Sequence, residues 1–409
     1  MDLTFPCEWK IQLIQVEKMP ALSPEQLITA LKAPIGTKSL KELSEKSKKP
    51  IILIDDLTRP TPIANVLSVV LTELNNTGIE NSNVTILIAC GTHSGITAAD
   101  INQKLGGKLP DGIRVITHDC HECELIGYTS TNTPIQINRY VLESDLKIGI
   151  GGIYPHPIAG FSGGGKLLAL GAGGYDTIRI LHDQKKGSQD RDGCIDHEFR
   201  REVNEITNSV GYDFSINLVL NVDREVAGVF CGDPEKAFQT GVDYYRQIYS
   251  LNVHDNADIV ISDMYPFDTD FQYAFDRGMW PFNNTGKRII KIILASSPRG
   301  ISDHTLFPVK NPFFTRLSRR MRHFHSRDIL QVKRWISSML SIYNRRNMDI
   351  FVVSPGIKKQ DLLRVLPKGI QIDSWNQMEE VFSQRFARNS IKNVAIYKTA
   401  PLLMIQGRD

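Results

Sequence analysis

Two histidines, a lysine and a dense run of glycines have the clearest capacity for chemistry in this chain. His93 closes a Gly91-Thr92-His93 triplet directly after the apolar run Val84–Cys90, and His156 follows another apolar run, Leu146–Ile150. An imidazole can take up and return a proton near neutral pH. Ten of the 30 glycines fall between Gly149 and Gly174. Such density weakens any helix or strand and predicts a loop whose backbone approaches a ligand closely. Within it, Gly160–Lys166 reads G-x-x-x-x-G-K, a phosphate-cradling loop up to its last position. That position is Leu167, which has no hydroxyl to hold magnesium, and a nucleotide-hydrolysing reading leaves His93 and His156 without a task. His118, Cys120, His121 and Cys123 offer a C-x-x-C with neighbouring histidines. A structural zinc site needs four ligands and usually a second pair, and the other cysteines are scattered, so these read as ordinary strand-end residues.

The elements that would carry these residues follow from hydrophobic periodicity. Ile51–Ile54 is an unbroken β-branched and leucine run, and short apolar runs then alternate with helical periods, the pattern of parallel strands crossed over by helices. Thr61 and Pro62 read as the N-cap and first residue of a helix closing near Gly78. Asp55–Pro60, the triplet ending at His93 and the segment around His156 therefore all sit just past strand carboxyl ends, where open parallel sheets bind ligands. After Leu251 a second series of strands is predicted at Ala257–Ser262, Ile289–Ala295 and Asp349–Val353. Phe313–Arg346 is arginine-rich and reads as a solvated amphipathic helical pair.

Chain length and charge limit the alternatives. At 409 residues and 41% hydrophobic content, the chain exceeds what one core normally holds, so two α/β domains are expected, each with a largely parallel sheet flanked by helices and with the active site in the cleft between them. The expected boundaries are 1–250 for a catalytic domain and 251–395 for a second, with a tail at 396–409 returning to the first. A formal charge of +3 marks no nucleic-acid or membrane partner. No apolar run is long enough to span a bilayer, there is no signal-peptide pattern, and six sparse cysteines suit reduced thiols, so a cytoplasmic location and small-molecule ligands are expected.

Three segments, DDLTRPTP at Asp55–Pro62, GTH at Gly91–His93 and PHPIAGFSGGGK at Pro155–Lys166, closely resemble the signature of the nickel-pincer lactate racemase family. His182 follows Lys166 at the interval that family uses, and weaker similarity runs through most of the chain. The resemblance implies that Lys166 bears a covalently attached nickel-pincer nucleotide and that His182 is a nickel ligand. It implies that His93 and His156 serve as general bases, one per enantiomer of a 2-hydroxy acid. Inverting that stereocentre by direct proton abstraction is unpromising because the Cα hydrogen is a very weak acid, whereas hydride removal to a cofactor is easier. By the same resemblance Asp56 and Arg59 lie beside cofactor and substrate, while Thr58 and the backbone amides of Ser162, Gly163, Gly164 and Gly165 could hold the nucleotide phosphate. Cofactor-synthesis and nickel-insertion enzymes would then be partners. A non-catalytic cofactor-binding homologue is the main alternative, and a P-loop-like NTPase is the third.

The sequence also departs from the family pattern. Ser94 stands where an arginine is usual, and Gly165 where a proline is. Gln272 is kept from a Q-x-x-K that binds the substrate carboxylate, but Phe275 replaces the lysine; Ser297 and Arg299 replace a cysteine and a glutamate. The loss of a cation predicts a substrate other than lactate, with Arg299 restoring charge and Phe275, Tyr265 and Trp280 adding apolar wall.

Overall fold

In the computed structural model, the described residues are 2–156, 158–183, 193–252, 257–282, 290–301, 350–366, 369–387 and 390–406. The arginine-rich stretch at Phe313–Arg346 lies outside them. The chain divides into two compact units, one of Val16–Asn252 with Leu402–Asp409 and one of Met1–Gln15 with Val253–Pro401. Among the described residues no helix is long and apolar enough to cross a membrane.

The first unit is built on a six-stranded sheet in the order Val226–Gly232, Phe214–Leu220, Leu146–Gly152, Pro50–Ile54, Thr85–Ile88, Arg114–Thr117. All neighbours are parallel except the first pair. Ile51, Ile52, Leu53 and Ile54 are fully buried, as are most side chains of Phe214–Leu220, because helices cover both faces. This explains why these strands read as continuous apolar runs rather than alternating ones. Chain order runs outward from Pro50–Ile54 to Arg114–Thr117 and then returns to Leu146–Gly152 on the other side. The gap between Pro50–Ile54 and Leu146–Gly152 is thus a topological switch point, the place where a crevice opens at strand carboxyl ends.

Helix Ala64–Asn76 starts later than the sequence suggests. Its N-cap is Ile63, without a side-chain cap bond, and Thr61 instead donates its hydroxyl to Asp55 Oδ2 at 2.6 Å. Burial of a carboxylate beside it gives Thr61 a stronger partner than the helix amides would. Helix Ala98–Leu105 carries the capping box Thr97–Asp100 and ends at Gly106, where a φ of +76° and the 2.5 Å that an added Cβ would leave to Ala64 Cβ favour glycine.

The second unit holds a six-stranded sheet in the order Lys10–Ile14, Asn393–Tyr397, Ile259–Asp263, Ile290–Leu294, Ile350–Val353, Gly369–Ile372, parallel throughout. Its first strand comes from the chain's beginning, which the sequence reading placed in the other domain. Trp9, Trp375 and Phe382 pack on one face, the Trp9 and Phe382 ring centroids lying 5.0 Å apart. Residues after Leu402 belong to the first unit, where Met404–Gln406 pairs with Ser250–Asn252.

Candidate active site

The loop after Pro50–Ile54 is organised by two adjacent carboxylates with separate tasks. Asp55 forms a buried ion pair with Lys104 and accepts from Thr61 and, at 3.3 Å, from the Gly152 amide of the neighbouring strand. Lys104 Nζ also donates to the carbonyls of Arg59 and Thr61 at 3.2 and 3.1 Å. Five connections therefore fasten the loop from beneath. Neither Asp55 nor Lys104 carried a sequence signal of this role, because the partners meet only through the fold.

Asp56 faces the other way. Its Oδ2 lies 2.5 Å from His93 Nδ1, and its Oδ1 accepts from the Thr58 amide at 2.8 Å and the Thr58 hydroxyl at 2.5 Å. Arg59 Nη1 donates to the Thr58 hydroxyl at 2.7 Å. Burial alone would raise the pKa of Asp56, yet the charges of His93 and Arg59 and the bonds from His93 and Thr58 hold it well below the usual carboxylate range. An ionised carboxylate against Nδ1 places a proton of the ring in that bond, so the proton that comes and goes is the one on Nε2. The side chain of His93 is 15% exposed, so the ring is shielded yet reachable.

The His93 loop is pressed onto the segment after Lys166. Gly91 donates its amide to Gly171 O at 2.9 Å, and a Cβ at Gly91 would stand 2.9 Å from Leu170 O, so the close approach requires glycine. Lys166 opens the short helix Lys166–Ala169 and is partly buried. His182, on helix Tyr175–Asp183, donates from Nδ1 to Ile178 O at 2.7 Å. Burial lowers its pKa to about 4, with Lys166 and His93 contributing in the same direction, so these three groups share one electrostatic neighbourhood. His182 is thus a neutral imidazole whose Nε2 carries the lone pair.

His156 lies on a tight hairpin in which Pro155–His156 pairs with Gly160–Phe161. Its Nδ1 accepts from the amides of Ile158 and Ala159, each at 3.2 Å. Ser162 and Gly164 do not supply anion-binding amides: Ser162 N donates to Tyr154 O and Gly164 N to Asn217 Oδ1, both at 2.8 Å. Ser162 Oγ turns to Gly152 O and Tyr154 O, and caps no helix. The glycines also prove to serve packing. A Cβ at Gly164 would meet the Phe238 ring at 2.7 Å, one at Gly165 would meet Thr207 at 2.8 Å, and one at Gly160 would meet Cys194 O at 1.9 Å. Gly163 is nearer tolerance, at 3.2 Å from Asn217 Oδ1, although its φ of +91° still favours glycine. The density that suggested a ligand is explained in large part by protein backbone and side chains crossing closely.

Gln272 and Arg299 lie in the second unit, Gln272 in the first turn of helix Phe271–Gly278 and Arg299 on the loop that follows strand Ile290–Leu294. Phe271 N donates to Gly300 O at 2.9 Å and Arg299 N to Thr269 O at 3.1 Å, which knits the two segments together. Phe275 is partly buried, 6.0 Å from Phe271 between ring centroids. Trp280 is core rather than wall: it is buried and donates to Ala400 O at 2.7 Å. Arg277 is also buried, 4.5 Å over the Phe267 ring.

His118 donates to Gly173 O and accepts from Asn138 Nδ2, as a structural histidine would. Among the described residues, no three or more His, Cys, Asp or Glu side chains converge as a metal site.

Residues 1–192 match the family model "Lactate racemase N-terminal domain". The lactate racemase of Thermoanaerobacterium thermosaccharolyticum is 32% identical over 267 residues, covering 63% of this chain and 62% of that protein. That of Lactiplantibacillus plantarum is 29% identical over 283 residues, covering 67% and 66%. The matching stretch thus spans just under two thirds of each relative's own length. The fold extends further, since the apoprotein structure of the Thermoanaerobacterium enzyme superimposes with a TM-score of 0.76 at 23% identity, covering 99% of this chain and 97% of that one. A Thermotoga maritima protein gives 0.64 at 17% identity, covering 95% and 100%. DDLTRPTP, GTH and PHPIAGFSGGGK all fall inside residues 1–192, the part of the chain that matches the lactate racemase family.

Proposed function

We propose that this protein is a racemase or epimerase that inverts the stereocentre of a 2-hydroxy acid. The observation that carries the reading is the Asp56–His93 pair at the switch-point edge of the first sheet, in the same electrostatic neighbourhood as Lys166 and His182. A substrate hydroxyl gives its proton to His93 Nε2, and the imidazolium so formed is held by the ionised Asp56. His156 is the second histidine of the acid–base pair. Arg59 brings positive charge to the same loop and suits a carboxylate or a nucleotide phosphate.

The residues fit the nickel-pincer nucleotide that the resemblance implies. His182 is a neutral imidazole with Nδ1 bonded to Ile178 O, so Nε2 is the nitrogen with which it would ligate a metal. With no cluster of protein donors among the described residues, a metal there would draw its other donors from the cofactor itself. Lys166, partly exposed, is the residue that would carry the group covalently. When bound, the group would supply a reversible hydride acceptor, so that a very weakly acidic Cα–H need not be deprotonated. Cofactor-synthesis and nickel-insertion enzymes would be the partners that load it. Phosphate contacts fall to Thr58, Arg59 and the Gly163 and Gly165 amides, since the Ser162 and Gly164 amides are used internally. That internal use also speaks against a P-loop nucleotide cradle.

The test is co-expression with cofactor-synthesis enzymes, followed by intact-mass and peptide mapping and by chiral assay of enantiopure 2-hydroxy acids from lactate to aryl, dicarboxylic and sugar acids. An adduct on Lys166 that vanishes in Lys166→Ala, together with racemisation, is expected; an adduct on another lysine ends the assignment. Because Phe275 replaces a lysine, a larger or more polar acid should exceed lactate in kcat/KM. Lactate as the best substrate would overturn that part.

A further inference from the structure

We propose that Asn217 is a positioning residue for Lys166: its side-chain carbonyl holds the Gly164 amide and so fixes where the short helix that begins at Lys166 starts. The inference rests on the reading of Lys166 as the residue that carries the cofactor, and adds to it the group that places that lysine's backbone.

A one-turn helix does not hold itself, because nucleation costs more than its first hydrogen bonds return. Lys166–Ala169 is such a helix, and its N-cap, Gly165, offers no side-chain cap. Its place is set from outside. Before it runs a tight turn with Gly160 at a φ of +67° and Gly163 at +91°. Arg200, buried on helix Glu198–Val210, gathers carbonyls of that turn, with Nε donating to Ala159 O at 3.2 Å, Nη1 to Gly163 O at 3.3 Å and Nη2 to Phe161 O. That grip reaches no further than Gly163. Gly164 is held by Asn217, whose Oδ1 accepts its amide at 2.8 Å. The helix then builds on this point: Leu167 N donates to Gly164 O at 3.1 Å and Ala169 N to Gly165 O at 2.9 Å.

Asn217 lies in the middle of the buried strand Phe214–Leu220 and is itself 1% exposed. An amide side chain there costs stability unless its groups are bonded. Its Nδ2 donates to Ser215 Oγ at 3.0 Å and to Phe230 O, on the neighbouring strand, at 3.3 Å. A backbone carbonyl only accepts, so the end of the amide that faces Phe230 O is the NH₂ and the end that faces Gly164 N is the carbonyl. The side chain thus has two separable tasks. Its donors serve the sheet, and its acceptor serves the loop that leads to Lys166.

The experiment is hydrogen–deuterium exchange, resolved to single amides by mass spectrometry, on the full-length chain without cofactor. Asn217→Leu loses acceptor and donors, whereas Asn217→Asp keeps an acceptor for Gly164 and loses the donor to Phe230 O. In Asn217→Leu the Gly164, Leu167 and Ala169 amides should exchange roughly tenfold or more faster than in the wild type, and in Asn217→Asp they should stay within about threefold of it. Amides of Val226–Gly232 should change alike in both variants. Unchanged loop exchange in Asn217→Leu, or equal loop loss in both variants, overturns the inference, because a role confined to the sheet would move loop and strand together. If Asn217→Asp does not fold by circular dichroism, Ser215→Ala disturbs the strand side of the amide instead and should leave the loop at wild-type exchange; Asn217→Ala replaces a misfolded Asn217→Leu. Co-expressed with cofactor-synthesis enzymes, Asn217→Leu should carry less Lys166 adduct than the wild type by about tenfold or more, as misplacement of a reacting group implies. Equal adduct would overturn the link to Lys166. No adduct in any chain, the wild type included, would instead sink the reading of Lys166, and the exchange data would still decide whether Asn217 holds the loop.

Discussion

His93 is held by a carboxylate, whereas His156 is held by peptide N–H groups, and this gives two similar side chains unlike electrical surroundings. Asp56 stabilises positive charge on His93, while the amides of Ile158 and Ala159 oppose positive charge on His156. The first arrangement is a side-chain network mounted on a strand-end loop. The second is a feature of a hairpin's backbone, which the buried Arg200 secures. A catalytic pair can thus be asymmetric even when the residues match in type, because the hydrogen-bond partner of one ring nitrogen sets what the other can do.

The largest effect that would sharpen this contrast is on turnover. With loaded enzyme, His93→Gln should lower kcat by about 10³-fold or more, because the proton acceptor backed by a carboxylate is removed. His156→Gln removes the acceptor without that backing and should lose roughly 10- to 100-fold. Equal losses measured by chiral chromatography would break the asymmetry. Next comes the loop beneath His93: Lys104→Met strands the buried Asp55 and should destabilise the chain by about 3–4 kcal/mol in urea titration, with lost activity recovered by no change at His156.

His118 provides the third test, as a histidine with both nitrogens committed. Burial lowers its pKa to about 4, against the opposing bond to Gly173 and the charge of Asp119. Since the folded value lies below the unfolded one, its stabilisation is complete above about pH 6.5 and is lost as pH falls toward 4, where the unfolded chain binds the proton that the folded chain refuses. The loss should be about 3 kcal/mol, and His118→Gln should flatten that part of the stability profile. A wild-type profile without this slope would contradict His118's burial as a neutral ring. The smallest effect is expected in the second unit: Arg299→Ala should raise KM by about tenfold with kcat nearly unchanged, as for a group that binds without taking part in proton transfer.

How far the sequence could be read depended on whether a signal was local. Ile51–Ile54, Leu146–Ile150 and the strands of the second unit announced themselves because buried parallel strands need uninterrupted apolar runs. His93, Asp56 and Arg59 were legible by motif. Arg200, Lys104 and Asp55 were not, because their partners lie far along the chain and a charged residue on a helix normally reads as solvated. The glycine run misled in a specific way. A missing Cβ says that something comes close, and at Gly160, Gly164 and Gly165 that something is the protein itself. Lys10–Ile14 gave little warning because it is short and mostly exposed, with Ile11 and Leu13 among the open apolar side chains.

That strand has a consequence for how the molecule is made. Lys10–Ile14 is synthesised long before Asn393–Tyr397, the strand with which, among the described residues, it pairs in parallel. Most of the first unit, up to Asn252, can form while this segment still waits for its neighbour, carrying unpaired N–H and C=O groups that invite association with other chains. Met404–Gln406, later still in the chain, then closes onto Ser250–Asn252. A cut near residue 252 would not separate two self-sufficient halves: one fragment would keep a strand belonging to the other, and each would lack a piece of its own sheet structure.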